Sequence, residues 1–310
     1  MKRRDFLAAA AAAAPLAGAS LAAAPAIHAG PRLTSADAPF KLAYAPHGGM
    51  FQNLAGGDVV DQIAFAHDQG FRAWEDNGMA GRDVAEQERI ARALADRGMQ
   101  MGVFVANFGT AFGKRSFSTA SPEHVESFLA DLQVSVECAA RVNATWMTIV
   151  LGDLEPRLER DFQHANAIEM LKRGAEIFEP HGLVMVMEPL NPWSDHPGML
   201  LSKISQAYML CKAVGSPAVK TLFDIYHQQI TEGNLIPNIR KAWDEIAYFQ
   251  IGDNPGRNEP GTGEINYRIV FKEIHARGYT GVLGMEHGIS RGGAEGEQAL
   301  IQAYRHADDF

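Results

Sequence analysis

Glu188, Asp224, Gln250 and Glu286 share one setting. Each closes a short apolar run: LVMVMEPLN at 183–191, VKTLFD at 219–224, IAYFQ at 246–250 and GVLGME at 281–286. Short, β-branched and aromatic runs bounded by turn residues read as strands buried on both faces. Their polar tips would then gather in one place. Crowded carboxylates repel one another and raise each other's pKa, and a divalent cation removes that penalty. Three carboxylates and one amide oxygen form an all-oxygen set, which suits Mg²⁺ or Mn²⁺ better than Zn²⁺. The chemistry expected is metal binding combined with acid/base work on a small hydroxy-carbonyl compound. A strand-end carboxylate taken singly is commonly a solvated loop residue. Four oxygen donors at matching positions on consecutive strands are much harder to read that way.

Other residues join this set. His227 lies three positions past Asp224 in DIYH and could orient a substrate oxygen, share a proton, or be a structural loop histidine. Arg257, in DNPGRNEPGTGEINY, could grip a substrate carboxylate through a bidentate contact or brace its own loop. Glu75 closes another apolar run and could help position the substrate, or sit in a salt bridge. His47, Asn107, Lys114 and Trp193 fall on loops of the same face and read as loop packing. His287 adjoins Glu286 and by strand alternation should face away from it.

The elements that would position these groups alternate regularly. Strands are expected at 40–46, 71–77, 100–107, 145–152, 183–191, 219–224, 246–250 and 281–286. Helices are expected between them at 58–69, 83–97, from 121, at 161–178, 201–214, 235–244 and 267–277, with a last one from about 294. Ser121 with Pro122 behind it is a helix start signal. Eight strand–helix units of this length close a (β/α)8 TIM barrel, an α/β fold, here a single domain over 40–310. A doubly wound open sheet would want a glycine-rich phosphate turn, and the sequence contains neither GxGxxG nor GxxxxGK[ST].

The 310 residues are 46% hydrophobic and 21% charged, which is ordinary for a globular chain. A net charge of −9, without a long basic run, speaks against nucleic acid as a partner. Residues 1–29 begin MKRRDFL and continue as a weakly apolar, alanine-rich stretch, the pattern of a twin-arginine export signal. Its low hydrophobicity and Pro15 argue against a stable membrane anchor. Residues 30–39 read as a linker, and the expected location is periplasmic. Cys138 and Cys211 fall in separate helices and read as two buried thiols. The partner expected is a small hydroxy-carbonyl or sugar substrate, with homo-oligomer formation left open.

The stretches LVMVMEPLN, FDIYHQQITEG and YFQIGDNPGRNEPGTGEINY, with GMEH at 284–287, resemble the hydroxypyruvate isomerase family within the xylose-isomerase-like barrels. The N-terminal half matches only as barrel framework. The resemblance implies a divalent cation on Glu188, Asp224, Gln250 and Glu286. It also implies proton transfer by Glu188 and Glu286, with His227 and Arg257 near the substrate. Related ketose epimerases usually have a histidine where Gln250 stands and a glutamate where Ser194 stands. Both departures favour the isomerase branch. The activity implied is aldose–ketose isomerisation of hydroxypyruvate to 2-hydroxy-3-oxopropanoate (tartronate semialdehyde) through an enediolate. Two other readings remain open. One is a periplasmic epimerase, isomerase or lyase acting on a sugar or keto-sugar. The other is a sugar-binding barrel without turnover.

Overall fold

The computed structural model describes residues 39–310. The expected export signal and nearly all of the expected linker lie outside the described residues. Nine strand segments follow in chain order: β1 (Ala43–Ala45), β2 (Ala73–Trp74), β3 (Gln100–Met101), β4 (Phe104–Val105), β5 (Trp146–Ile149), β6 (Val184–Met187), β7 (Val219–Asp224), β8 (Ile246–Gln250) and β9 (Val282–Gly284). All pair in parallel. Seven form one sheet in the order β1-β9-β8-β7-β6-β5-β4, and β2 pairs with β3. Two links close the ring. Glu75 N–H donates to the Pro46 carbonyl at 3.0 Å, and Val105 N–H donates to the Asn77 carbonyl at 3.1 Å. The result is the expected TIM barrel.

β7 and β8 have the bounds read from the sequence. The third stave differs: the run expected to be continuous over 100–107 is broken into β3 and β4. The cause is a long-range contact. The Tyr248 hydroxyl, from the opposite side of the barrel, accepts from Val103 N–H at 3.3 Å. A Cβ at Gly102 would lie 2.5 Å from that hydroxyl, so only glycine lets the two approach. Diverting the Val103 N–H from the ladder lets a tyrosine reach across the interior.

Alternation along the staves divides the core in two. Ala45, Ala73, Val103, Val186, Leu222, Tyr248 and Val282 form the barrel interior. Their neighbours in sequence, such as Met185, Phe223, Phe249 and Leu283, face the helices and join the larger outer core. Burying a Val or Leu side chain stabilises the fold by roughly 1.5–3 kcal/mol, so both layers contribute. The helices begin as their caps dictate. Asp58 accepts from Val60 N–H ahead of Val59–Asp68. Ser121 accepts from His124 N–H, with Pro122 in the first turn of Pro122–Val142. Cys138 and Cys211 are free and buried. Among the described residues, no helix is long and apolar enough to cross a membrane.

Candidate metal and acid/base site

One step of alternation beyond the interior layer reaches the site. Side chains point to the same face every second residue, so Val186 leads to Glu188, Leu222 to Asp224, Tyr248 to Gln250, Ala73 to Glu75 and Ala45 to His47. Val282 leads first to Gly284 and then to Glu286. Asp224 and Gln250 are direct register partners, as are Gln250 and Gly284. Ligand atoms of Glu188, Asp224, His227 and Glu286 lie within 4.8 Å of one another. Glu188, Asp224 and Glu286, three of the four residues expected to share a centre, come together with His227, and Gln250 is the register partner of Asp224.

Asp224 divides its two oxygens. It caps the short helix Ile225–Thr231, with Oδ1 accepting from Tyr226 N–H at 2.7 Å and from His227 N–H at 3.2 Å. Oδ2 remains for the site, 3.6 Å from His227 Nε2 and 3.3 Å from Arg257 Nη2. That helix was not expected from the sequence, yet it is what swings His227 over the cluster.

Asn191 orients His227. Its Oδ1 accepts from Ser194 N–H at 2.9 Å, so the amide nitrogen is the end facing His227 Nδ1, at 2.7 Å. Nδ1 therefore faces a donor, and so does Nε2, which lies 3.3 Å from Arg257 Nη2. Nε2 also faces Asp224 Oδ2 and Glu188 Oε1, the latter at 3.8 Å. Burial lowers the imidazole pKa to about 4, which keeps the ring neutral. A neutral imidazole placed there can orient an oxygen or ligate a cation, and His227 stands in the same cluster as Glu188, Asp224 and Glu286.

Gln250 presents an unpartnered oxygen. Its Nε2 donates to Glu75 Oε1 at 3.0 Å, and its Oε1 is buried without a partner. A buried amide oxygen without a donor costs about 1–3 kcal/mol. A divalent cation held by Glu188, Asp224 and Glu286 would satisfy it, and the hard, all-oxygen donor set fits such an ion.

Glu75 sits under this layer, 1% exposed. Tyr248 donates to its Oε2 at 2.7 Å. The carboxyl fits because position 284 is glycine: a Cβ there would lie 1.8 Å from Glu75 Oε2. Burial, then the Glu286 charge, pushes the Glu75 pKa up to about 8. Burial also raises Glu188 well above the usual carboxylate range, with the Glu286 and Asp224 charges adding to the effect. Burial raises Glu286, and the Arg257 charge works against that rise.

Arg257 is the counter-charge. Its Nη2 donates to Glu286 Oε2 at 2.6 Å and to Asp224 Oδ2 at 3.3 Å, and Nε donates to the Glu286 carbonyl at 3.1 Å. The guanidinium also lies over the Tyr226 ring at 4.8 Å. Asp253 holds its loop. The Asp253 carboxylate is fully buried and accepts from the backbone N–H of Asn254, Gly261, Gly263 and Ile265. Glu259 ties the loop to Ser290 after β9.

A cavity of about 340 Å³ opens beside Glu286, with His47, Glu75, Asp76, Asn77 and Arg82 on its walls. Asn107 instead clamps Val150 by two hydrogen bonds, buried away from solvent. Lys114 is exposed, and Trp193 is 75% exposed in the loop after β6. His287 faces the helices, with Nε2 at 2.7 Å from the Tyr304 hydroxyl.

Sequence reasoning did not single out Asn191, Tyr248, Asp253 or Asn77. For Asp253 a signal existed: an Asp leading a Gly/Pro/Asn-rich run is the grammar of a loop organised around one carboxylate. For Tyr248, alternation back from Gln250 would have placed it inward. Asn191 and Asn77 act through partners far away in sequence.

Comparisons with known proteins bear on the fold and the family. The family model described as xylose isomerase-like TIM barrel matches residues 63–308. The hydroxypyruvate isomerase of Escherichia coli is 33% identical over 177 residues, which is 57% of this chain and 68% of that protein. The 2-oxo-tetronate isomerase of Pectobacterium atrosepticum is 29% identical, over 74% of this chain and 86% of its own length. Among solved structures, a family 2 AP endonuclease from Brucella melitensis superimposes with a TM-score of 0.72 at 25% identity, covering 85% of this chain and 99% of that one. The chain belongs to the xylose isomerase-like TIM barrel family.

Proposed function

We propose that this isomerase interconverts a 2-keto and an aldehyde form of a small hydroxy acid, with hydroxypyruvate to 2-hydroxy-3-oxopropanoate as the reference reaction. The relatives' activities support the class, and the buried oxygen set carries the reading: three carboxylates from three staves beside the unpartnered Gln250 Oε1. Glu188, Asp224, Gln250 and Glu286 would hold a divalent cation, Mg²⁺ or Mn²⁺. When bound, it supplies the Lewis acidity that polarises a carbonyl and its neighbouring hydroxyl and favours an enediolate.

The chain's own residues do the rest. Glu188 and Glu286 are the acid/base pair: one takes the proton from carbon, and the same or the facing carboxylate returns one to the adjacent carbon. Glu188 is nearly enclosed, whereas the Glu286 side chain is 28% exposed and lines the cavity, so it is the group substrate meets first. Burial makes both carboxylates stronger bases than a solvated glutamate, as proton abstraction next to a carbonyl requires. His227 Nε2 is placed to meet a substrate oxygen and fix its orientation. Arg257, held over the cluster by the Asp253 loop, is the cation available to a substrate carboxylate.

The test is turnover of hydroxypyruvate in deuterated water with added Mg²⁺ or Mn²⁺. Product formation with deuterium at carbon, lost in Glu188→Gln and Glu286→Gln, is the expected result. Full activity in both variants would refute the roles assigned. Tight sugar binding without exchange at carbon would favour a non-catalytic barrel. We also propose periplasmic placement through the twin-arginine pattern at 1–29. N-terminal sequencing of the mature protein from a periplasmic extract tests it, and an intact Met1 recovered from the cytoplasmic fraction would contradict it.

A further inference from the structure

A carboxyl enclosed in a barrel interior is costly to desolvate. Glu75 is 1% exposed, and three departures from regular barrel structure make its place. The Val103 N–H leaves the ladder and donates to the Tyr248 hydroxyl at 3.3 Å. Position 102 is glycine, where a Cβ would lie 2.5 Å from that hydroxyl. Position 284 is also glycine, where a Cβ would lie 1.8 Å from Glu75 Oε2. Packing alone would be served as well by apolar groups of the same shape at 75 and 248. An interior that bends one stave and empties two positions around a single carboxyl gives that carboxyl a task.

The task follows from its two oxygens. The Tyr248 hydroxyl, which accepts from Val103, gives its one hydrogen to Glu75 Oε2 at 2.7 Å. Glu75 Oε1 accepts from Gln250 Nε2 at 3.0 Å. Both oxygens are engaged by the protein, which sets Glu75 apart from a substrate contact. The two ends of an amide have nearly the same shape, so hydrogen-bond partners decide which end points where. A divalent charge on the cluster offsets the neighbouring Glu286 and favours ionised Glu75, and an ionised carboxylate only accepts. Its Oε1 therefore takes the NH₂ end of Gln250 and leaves the amide oxygen free of protein partners.

We propose that Glu75 is a positioning residue: it turns the Gln250 amide so that oxygen, and not nitrogen, is offered to the cation, with Tyr248 and Gly284 holding it in that role. The donor set is kept all-oxygen in this way, which favours Mg²⁺ or Mn²⁺. The proposal rests on Gln250 being an ion ligand; it does not depend on which compound is turned over.

Mn²⁺ binding tests it. MnCl₂ is titrated calorimetrically into full-length protein: wild type, Glu75→Gln, Gln250→Ala and the double variant. Glutamine keeps the shape of Glu75 but has only one accepting end. With that end kept by Tyr248, its NH₂ faces Gln250, which turns over and shows the cation a donor. Glu75→Gln should weaken Mn²⁺ binding about 10–100-fold, the range for loss of an outer partner of a metal ligand. Removing the Glu75 charge acts alike whether or not Gln250 is present, whereas turning the amide acts only when it is. The loss should therefore be smaller by about tenfold in the Gln250→Ala background. Equal losses in the two backgrounds would reduce Glu75 to a nearby charge and overturn the proposal, as would wild-type affinity in Glu75→Gln. Tyr248→Phe leaves every charge in place and removes only the anchor on Oε2. It should weaken Mn²⁺ binding by about threefold or more, and it carries the test if Glu75→Gln does not fold; unchanged affinity there also overturns the proposal. Wild-type protein that binds no Mn²⁺ overturns the cation reading and this proposal together. If the variants behave as expected but hydroxypyruvate is not turned over, the positioning role stands and the assigned reaction falls.

Discussion

The two arcs of the barrel are built differently. From β6 to β9, consecutive staves form one continuous parallel ladder, with a single register shift between Thr221 and Leu222, and each delivers one oxygen donor at or just past its tip. From β1 to β4, the segments are two or three residues long, one stave is broken at Gly102 and Val103, and the ring closes through short stretches of backbone pairing around Glu75 and Val105. The regular arc holds the carboxylate cluster, while the irregular arc lines the cavity next to it. A parallel ladder fixes side chains to within a register step, which metal and proton chemistry require. Short segments with long loops are the part of a barrel where substrate choice can vary without disturbing that cluster. The difference teaches that the fold separates what is done from what it is done to.

The sharpest way to break this comparison is at the regular arc. Glu188→Gln and Glu286→Gln should each lower kcat by about 10²–10⁴-fold, the usual range for loss of a general acid or base. Their thermal midpoints should stay near wild type. A kcat loss no larger than that of Arg82→Ala would erase the distinction between the arcs.

Next in size is the seam between the arcs. In Gly284→Ala the new methyl would stand where Glu75 Oε2 lies. Glu75 must then leave Gln250 and Tyr248, at the ~1–3 kcal/mol typical of overpacking. Denaturant midpoints read this, and a neutral substitution would show that Glu75 does not need the space.

A smaller effect sharpens the electrostatics. Glu75 in the folded metal-free protein has a pKa raised to about 8. A carboxyl raised above its unfolded value contributes stability that is complete below that unfolded value and is lost as pH rises through about 8. The metal-free protein should therefore lose stability between about pH 4.5 and about pH 8, and Glu75→Gln should flatten that decline. His287 works on the acid side: burial lowers it to about 4. Its contribution is present above its ordinary value, about 6.5, and fades as pH falls toward about 4. Thermal midpoints across this range check both, and an unchanged slope in Glu75→Gln would contradict the assignment.

Legibility in the sequence followed the same division. The bounds of β7 and β8 could be read directly, because buried parallel strands are continuous apolar runs with polar ends. The (β/α)8 architecture followed from the alternation of those runs with helical patterns. The third stave could not be read, because what breaks it is Tyr248, nearly 150 positions away. The inward orientation of Glu75 was available from alternation past Ala73, yet its partners Tyr248 and Gln250 belong to another stave. The orientation of His227 depends on how Asn191 is turned by Ser194, a detail below the resolution of any sequence pattern. Local periodicity reports which face is buried; it does not report which distant side chain fills the space.

The central claim is that the regular arc gathers one cation. Mn²⁺-soaked crystals measured for anomalous scattering test it most directly. The account predicts a single strong peak at about 2.0–2.4 Å from one oxygen each of Glu188, Asp224, Gln250 and Glu286, with His227 outside the coordination shell. No peak there, or one coordinated by His227 Nε2 in place of Gln250 Oε1, would contradict it.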